Sequence, residues 1–213
     1  MNTPTPSAPF DDPAGSWNQR YRAEGYLFGT APNAYLESLA ARLPAGGRAL
    51  CVADGEGRNS VWLARRGFEV DAFDIAEVAV DKARRLAAEA GVVVHYEVAG
   101  CDDWAWPEAA YDLVAAVFVQ FADPPARARL FERMACALRP GGCLVLQGYT
   151  PAQLAYRSGG PGRVDHLYTP ELLREAFAGL EILDLAEYEA ELAEGTQHVG
   201  RAALIGLLAR RPS

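Results

Sequence analysis

Residues 54–57, Asp-Gly-Glu-Gly, close the apolar run at 49–53 and lead through Arg58 into a helical pattern opened by Asn59. Glycines at alternate positions let a chain reverse tightly and let a ligand lie against bare backbone. Asp74 closes the next apolar run. That is the spacing, roughly 20 residues on, of an acid that accepts hydrogen bonds from ribose hydroxyls. A carboxylate only accepts, and a diol donates, so the two match. In an arbitrary loop a Gly-x-Gly turn means no more than a tight connection. With a strand before it, a helix after it and an acid ending the next strand, it predicts a nucleoside-bearing cofactor.

The third glycine of the dinucleotide fingerprint lets the helix pack closely, and here that position is Ser60. The acids Asp54 and Glu56 repel a pyrophosphate but suit S-adenosylmethionine, which carries a sulfonium and an ammonium. The expected cofactor is therefore S-adenosylmethionine. Other chemistry-bearing residues are scattered. The four cysteines, Cys51, Cys101, Cys136 and Cys143, form no CxxC pair, and the three histidines, His95, His166 and His198, do not cluster, so no metal site is expected. Cys136 and Cys143 sit in apolar runs and are expected in the core.

These residues need elements to position them. The 213 residues suit one domain. Residues 1–13 are expected to form a flexible, Pro-rich tail and residues 14–213 the single domain. Helices are expected at 33–43 (Asn33 as N-cap), 59–67, 76–91, 125–138 and 169–179 (Thr169 as N-cap), with strands at 49–53, 68–75, 92–98, 111–120 and 143–149. Residues 139–142 end the fourth helix, and a loop spans 150–168. Two final strands, joined by 195–200, leave no room for a crossover helix and must be antiparallel. The fold class is thus α/β: a Rossmann-like, doubly wound, mostly parallel seven-stranded sheet with an antiparallel C-terminal strand. The net charge of −8 and the lack of a basic run exclude a phosphate-tracking nucleic-acid binder. No apolar run is long enough for a membrane span, and the expected location is cytoplasmic.

Several segments together resemble class I S-adenosylmethionine-dependent methyltransferases: WNQRY (17–21), YLFGTAPN (26–33), ALCVADGEGRNSVWLA (49–64), VDAFDIA (70–76), YDLVAAVFVQF (111–121), LRPGGCLVLQGYTPAQL (138–154) and GGPG (159–162). The last two stretches point to the tellurite-resistance and thiopurine methyltransferase-like branch. The resemblance implies that Asp54, Gly55, Glu56, Gly57 and Asn59 line the methionine and ribose part of the cofactor, with Asp74 on the ribose. It places Ile75 and Ala76 against the adenine and Cys101, Asp102 and Asp103 at its edge. Val117, Phe118 and Gln120 border the methyl group, and Trp17, Tyr21, Phe28 and Gly29 form a lid. Three positions depart from the family pattern: Cys51, Ala53 and Gly100. Gln120 stands where the branch often has His.

Phe28, Tyr149, Arg157 and Arg201 are the candidate acceptor contacts. Arg157 and Arg163 read equally as solvated side chains, His166 and His198 as exposed loop residues, and residues 159–162 as a lid or a plain linker. Of Trp104 and Trp106, at least one is expected to pack on the sheet. No catalytic base stands out, which favours a small-molecule acceptor with a thiol or other soft heteroatom, turned over by a monomer or homodimer. The rival readings are a nicotinamide-dependent oxidoreductase and a non-enzymatic cofactor-binding homologue.

Overall fold

The computed structural model describes residues 12–156 and 158–213. Its centre is one seven-stranded sheet: β1 (Gly47–Val52), β2 (Phe68–Asp74), β3 (His95–Val98), β4 (Tyr111–Val117), β5 (Leu138–Tyr149), β6 (Glu181–Glu194) and β7 (His198–Arg210), in the order β3-β2-β1-β4-β5-β7-β6. The first five strands are parallel to one another, and β7 runs antiparallel to both β5 and β6. Among the described residues six α-helices accompany them: α1 (Pro13–Tyr21), α2 (Ala34–Ser38), α3 (Arg58–Arg65), α4 (Glu77–Ala90), α5 (Pro124–Ala137) and α6 (Pro170–Ala176).

Successive strand residues point to opposite faces, and the core divides accordingly. Leu50, Val52, Val114, Ala116, Leu144 and Leu146 pack with Leu130, Phe131 and Met134 of α5 and Leu173 of α6. Ala49, Cys51, Leu113, Ala115, Cys143 and Val145 pack with Leu36 of α2 and Leu63 of α3. Both faces are buried, which is why β1, β4 and β5 read as continuous apolar runs. The order reverses beside β1, where β2 and β4 diverge, and in such sheets ligands bind beyond the strands' carboxyl ends at that point.

Boundaries differ from the sequence expectations where local chemistry intervenes. Residues 1–11 of the expected tail lie outside the described residues, while Pro13 already opens α1, capped by the Asp12 carboxylate on the Gly15 amide at 2.9 Å. The Asn33 cap holds at 3.1 Å, but α2 closes at Ser38 and loosens into turns before Pro44, which disfavours helix in the residue ahead of it. β3 starts only at His95, because the Val92 amide is still bonded to Ala87 at the α4 C-terminus. β4 stops at Val117, as Phe118 turns to φ +57°. Residues 139–142 do end α5, yet they fall within β5 as a bulge, with Gly141 at φ +79°, across a register shift opposite Tyr111–Leu113. The loop at 150–168 contains two short 3₁₀ turns, Pro151–Ala155 and Val164–His166. Cys136 is exposed rather than in the core, since its position on α5 faces outward, whereas Cys143 is buried.

Gly57 joins the turn to the layer above it. It holds φ +93°, and a Cβ there would stand 2.8 Å from the Ala83 Cβ of α4 and 2.9 Å from the Tyr96 hydroxyl of β3. Gly57→Ala therefore combines backbone strain with overpacking and should cost about 1–3 kcal/mol, read from the urea midpoint. An unchanged midpoint would mean that α3 and α4 move apart freely.

Candidate functional site

The turn after β1 is fixed by a carboxylate from β2. Asp74 is buried, and its two oxygens accept hydrogen bonds from the Gly55 amide (2.9 Å) and the Ala76 amide (2.9 Å). The turns after β1 and β2 are thus tied together. Burial raises the Asp74 pKa to about 6 against the opposing pull of the two amides. Asp54 is also held: one oxygen accepts from the Ser60 hydroxyl, while the other, Oδ1, is buried without a partner. Burial raises its pKa to about 7, and the Ser60 hydrogen bonds only partly offset this. A buried, unpartnered oxygen is costly, and a cationic or hydrogen-donating ligand would relieve it.

These turns open on a cavity of about 380 Å³ beyond the ends of β1, β2 and β4. Of the sequence candidates, Trp17, Tyr21, Phe28, Asp54, Gly55 and Asn59 line it, as do Asp74, Ile75, Cys101, Asp102, Asp103, Val117 and Phe118. Two arginines also reach it, but both are engaged. Arg58 pairs with Glu194 at 2.9 Å, and Arg133 bonds the Cys101 carbonyl and Asp102, each at 2.6 Å. Asp102 is held below the usual carboxylate range by Arg129 and Arg133 despite slight desolvation, so its carboxylate serves α5. Burial pushes the Cys101 thiol up to about 12, which makes it a filler and not a nucleophile.

Glu56, Gly57, Ala76 and Gln120, expected at the cofactor, do not line this cavity. Glu56 points into the protein: it pairs with Lys82 at 2.8 Å and accepts from the Leu27 amide at 2.7 Å, while Lys82 also bonds the carbonyls of Ala23 and Gly25. Its charge anchors the segment after α1 and does not face a ligand. Gly57 is packed between α4 and β3, and the Ala76 side chain is buried against Tyr21, Leu27 and Ala79. Gln120 is a cross-link, donating to the Tyr149 and His166 carbonyls and accepting from the Tyr149 amide at 2.7 Å. Trp104 stacks on Phe73 at 4.8 Å and belongs to the core.

A second cavity, of about 320 Å³, adjoins the first and shares Trp17, Phe28, Phe118, Phe121 and His198 with it. Tyr149, Gln120 and residues 159–161 close its far side. The Tyr149 hydroxyl is buried there without a partner. Arg201 lines neither cavity; it is exposed, pairs with Glu189 and lies 5.3 Å over the Tyr156 ring. Arg157 lies outside the described residues.

The residues that sequence reasoning missed are Arg58 and His198. His198 starts β7 and is paired across the hairpin with Glu194, in the register Glu194↔His198. Its Nδ1 lies 3.3 Å from Glu194 Oε2. Arg58 reaches the same oxygen, and Asn33 Nδ2 donates to Glu194 Oε1 at 2.9 Å. Burial works to raise the Glu194 pKa, but His198 and Arg58 outweigh it and hold the pKa at about 2. The available signal was an acid and a histidine four residues apart flanking a tight turn between two strands. Among the described residues there is no group of three or more His, Cys, Asp or Glu side chains able to hold a metal.

With the geometry in place, comparison with known proteins shows what the chain is similar to. A methyltransferase-domain model matches residues 49–142, which contain both turns that open on the first cavity. Over 126 residues the chain is 41% identical to the ubiquinone biosynthesis O-methyltransferase of Xanthomonas axonopodis pv. citri, covering 56% of this chain and 52% of that protein. The chain thus spans about half the length of the curated relatives it matches. Among solved structures, one concerned with conversion of a disulfide bond into a thioacetal group during echinomycin biosynthesis superposes with a TM-score of 0.74 at 21% identity, covering 93% of this chain and 91% of that one. The N-methyltransferase NodS of Bradyrhizobium japonicum WM9, in complex with S-adenosylhomocysteine, gives 0.70 at 14% identity over 95% of this chain and all (100%) of that one. The Rossmann-like seven-stranded sheet is thus of the kind seen in these structures.

The raised pKa of Asp54 has a thermodynamic consequence. Its ordinary value is 3.8 and its folded value about 7, so between these limits the folded state binds the proton more tightly than the unfolded state. Its contribution to stability is fullest below pH 4 and is lost as pH rises through 7. Asp54→Asn should abolish this trend: wild type should lose stability relative to the variant from about pH 4 to about pH 7, by less than about 1.4 kcal/mol per unit, the limit for one proton. Parallel urea-midpoint curves for the two proteins would show that Asp54 is not perturbed.

Proposed function

We propose that the protein is an S-adenosylmethionine-dependent methyltransferase acting on a small-molecule acceptor. The observation that carries this is the Asp74 carboxylate, buried at the turn after β2 and opening on a cavity that also contains the unpartnered Asp54 oxygen. The residues fit the cofactor: Asp74 keeps lone pairs for a diol, the Asp54 carboxylate suits a cation, and both cavity arginines are already neutralised. S-adenosylmethionine supplies a methyl group activated on a sulfonium. The chain supplies the rest. Ile75 and Cys101 give an apolar flank beside Asp74, and Trp17, Tyr21 and Phe28 cover the opening against water.

The second cavity is the acceptor's place, because it meets the first at Phe118 and His198. Holding both partners across that junction supplies the alignment on which methyl transfer depends. The walls Tyr149, Gly159, Gly160 and Pro161 come from the two segments that resemble the tellurite-resistance and thiopurine branch, so membership of that branch is a statement about this cavity. A thiol or soft-heteroatom acceptor was favoured by the lack of a base. His198 removes that premise, and the O-methyltransferase relative supports an oxygen acceptor instead. A nicotinamide cofactor is disfavoured because Ser60, in place of the third glycine, is bonded to an acid. Among the described residues no helix is long and apolar enough to cross a membrane. We propose a cytoplasmic enzyme, monomer or homodimer.

Calorimetric titration with S-adenosylmethionine and S-adenosylhomocysteine tests this directly, and absence of binding by both would overturn it. Asp74→Ala should weaken binding by one or two charge-assisted hydrogen bonds, roughly 1.5–3 kcal/mol each. An unchanged Kd in a variant that still melts cooperatively would place the ribose elsewhere. Release of S-adenosylhomocysteine with an acceptor present separates the enzyme from a binding-only homologue.

A further inference from the structure

We infer that His198, aimed by Glu194, takes the proton from the acceptor's nucleophilic atom, and that the acceptor is a flat aromatic compound presenting a neutral hydroxyl. The inference rests on the methyl-transfer reading above. A carboxylate accepts only, so the Glu194 contact at 3.3 Å assigns the hydrogen to Nδ1 and leaves Nε2 as the acceptor of the ring. Glu194 cannot swing away, because Arg58 and Asn33 hold its two oxygens at 2.9 Å each. Its side chain and that of His198 are only 10% and 12% exposed. The imidazole borders both cavities, 4.5 Å from the Phe28 ring and 4.5 Å from the Phe118 ring, with Tyr149 at 5.9 Å.

The groups facing His198 come from four elements: Glu194 of β6, Arg58 of α3, Arg20 of α1 and Tyr149 of β5. Burial lowers the imidazole pKa, Glu194 raises it, and the two arginines lower it again, leaving it below the usual 6.5. The ring is therefore neutral near pH 7, the form that can accept a proton. Phe118 holds the strained φ of +57° that turns its ring onto Tyr149 at 4.7 Å. Together with Trp17, Phe28 and Phe121 these rings make a wall suited to a flat apolar body. In the step, the acceptor's O–H bond breaks and its proton goes to Nε2. The oxygen pair bonds the methyl carbon, and the C–S pair passes to sulfur. The products are a methyl ether, S-adenosylhomocysteine and an imidazolium that returns its proton to water. Glu194 is a positioning residue.

The test uses the full chain loaded with S-adenosylhomocysteine and labelled with ¹⁵N-histidine, with phenol and catechol as probes. His198 should show the Nδ1–H tautomer and a titration midpoint below 6.5, and saturating catechol should shift its Nε2 resonance. Glu194→Gln should lower the midpoint further. An Nε2–H tautomer, or a resonance unmoved by both probes, overturns the proposal. In turnover, His198→Gln should reduce catechol methylation about 10²–10⁴-fold, while benzenethiol, already largely ionised, should lose less than about threefold. Equal losses on both acceptors would show a positioning role only and overturn proton transfer. Failure to bind S-adenosylhomocysteine would sink the methyl-transfer reading itself, whereas tight binding with an unresponsive imidazole removes only the role of His198.

Discussion

Two amide hydrogens on one carboxylate determine where the site is. Asp74 receives the Gly55 and Ala76 amides, one on each oxygen. The turns that follow β1 and β2 belong to different crossovers, and this carboxylate bonds one to the other. Because the carboxylate is buried, the bonds are worth more than in water, and the group must be paired to be tolerated there. The same placement raises its pKa and puts the side chain in the cavity lining.

The roof is built by the same logic of buried charges that are paired. Lys82 and Glu56 clamp the segment after α1, with Lys82 also capping two of its carbonyls. Asn18 accepts from the Val78 amide at 2.9 Å and fixes α1 over the start of α4. On the other side, Arg58 bonds both Glu194 and the Phe28 carbonyl, and the Thr196 amide bonds the Leu27 carbonyl at 2.8 Å. The β6–β7 hairpin and the N-terminal cover thus meet over the junction of the two cavities. Breaking one partner of such buried pairs strands the other, so the cover is coupled to the sheet.

Much of the architecture was legible because its signals are local. Apolar runs alternating with helical patterns dictate parallel crossovers, and the absence of a helix before the last strand dictates an antiparallel ending. The glycine turn and Asp74 were readable for the same reason. Other features depend on directions that spacing does not encode. Asp54 and Glu56 are two residues apart in one turn, yet the first faces the cavity and the second faces Lys82. His198 looked like a lone loop histidine until hairpin register set it opposite Glu194. Arg201 looked available until β6 presented Glu189 to it. Residues 139–142 carry helix-stopping types and do stop α5, but they lie inside β5 as a bulge between the Leu138 and Cys143 pairings with β4, bonded to Arg211.

The central claim is that the cavity over β1, β2 and β4, covered by α1, receives the adenosyl cofactor. Amide hydrogen exchange on the full chain, with and without saturating S-adenosylhomocysteine, tests it most directly. Exchange should slow together in residues 13–28 and 53–58, the cover and the turn, while α6 stays as it was. Unchanged exchange in both segments, or protection confined to another part of the sheet, would contradict it.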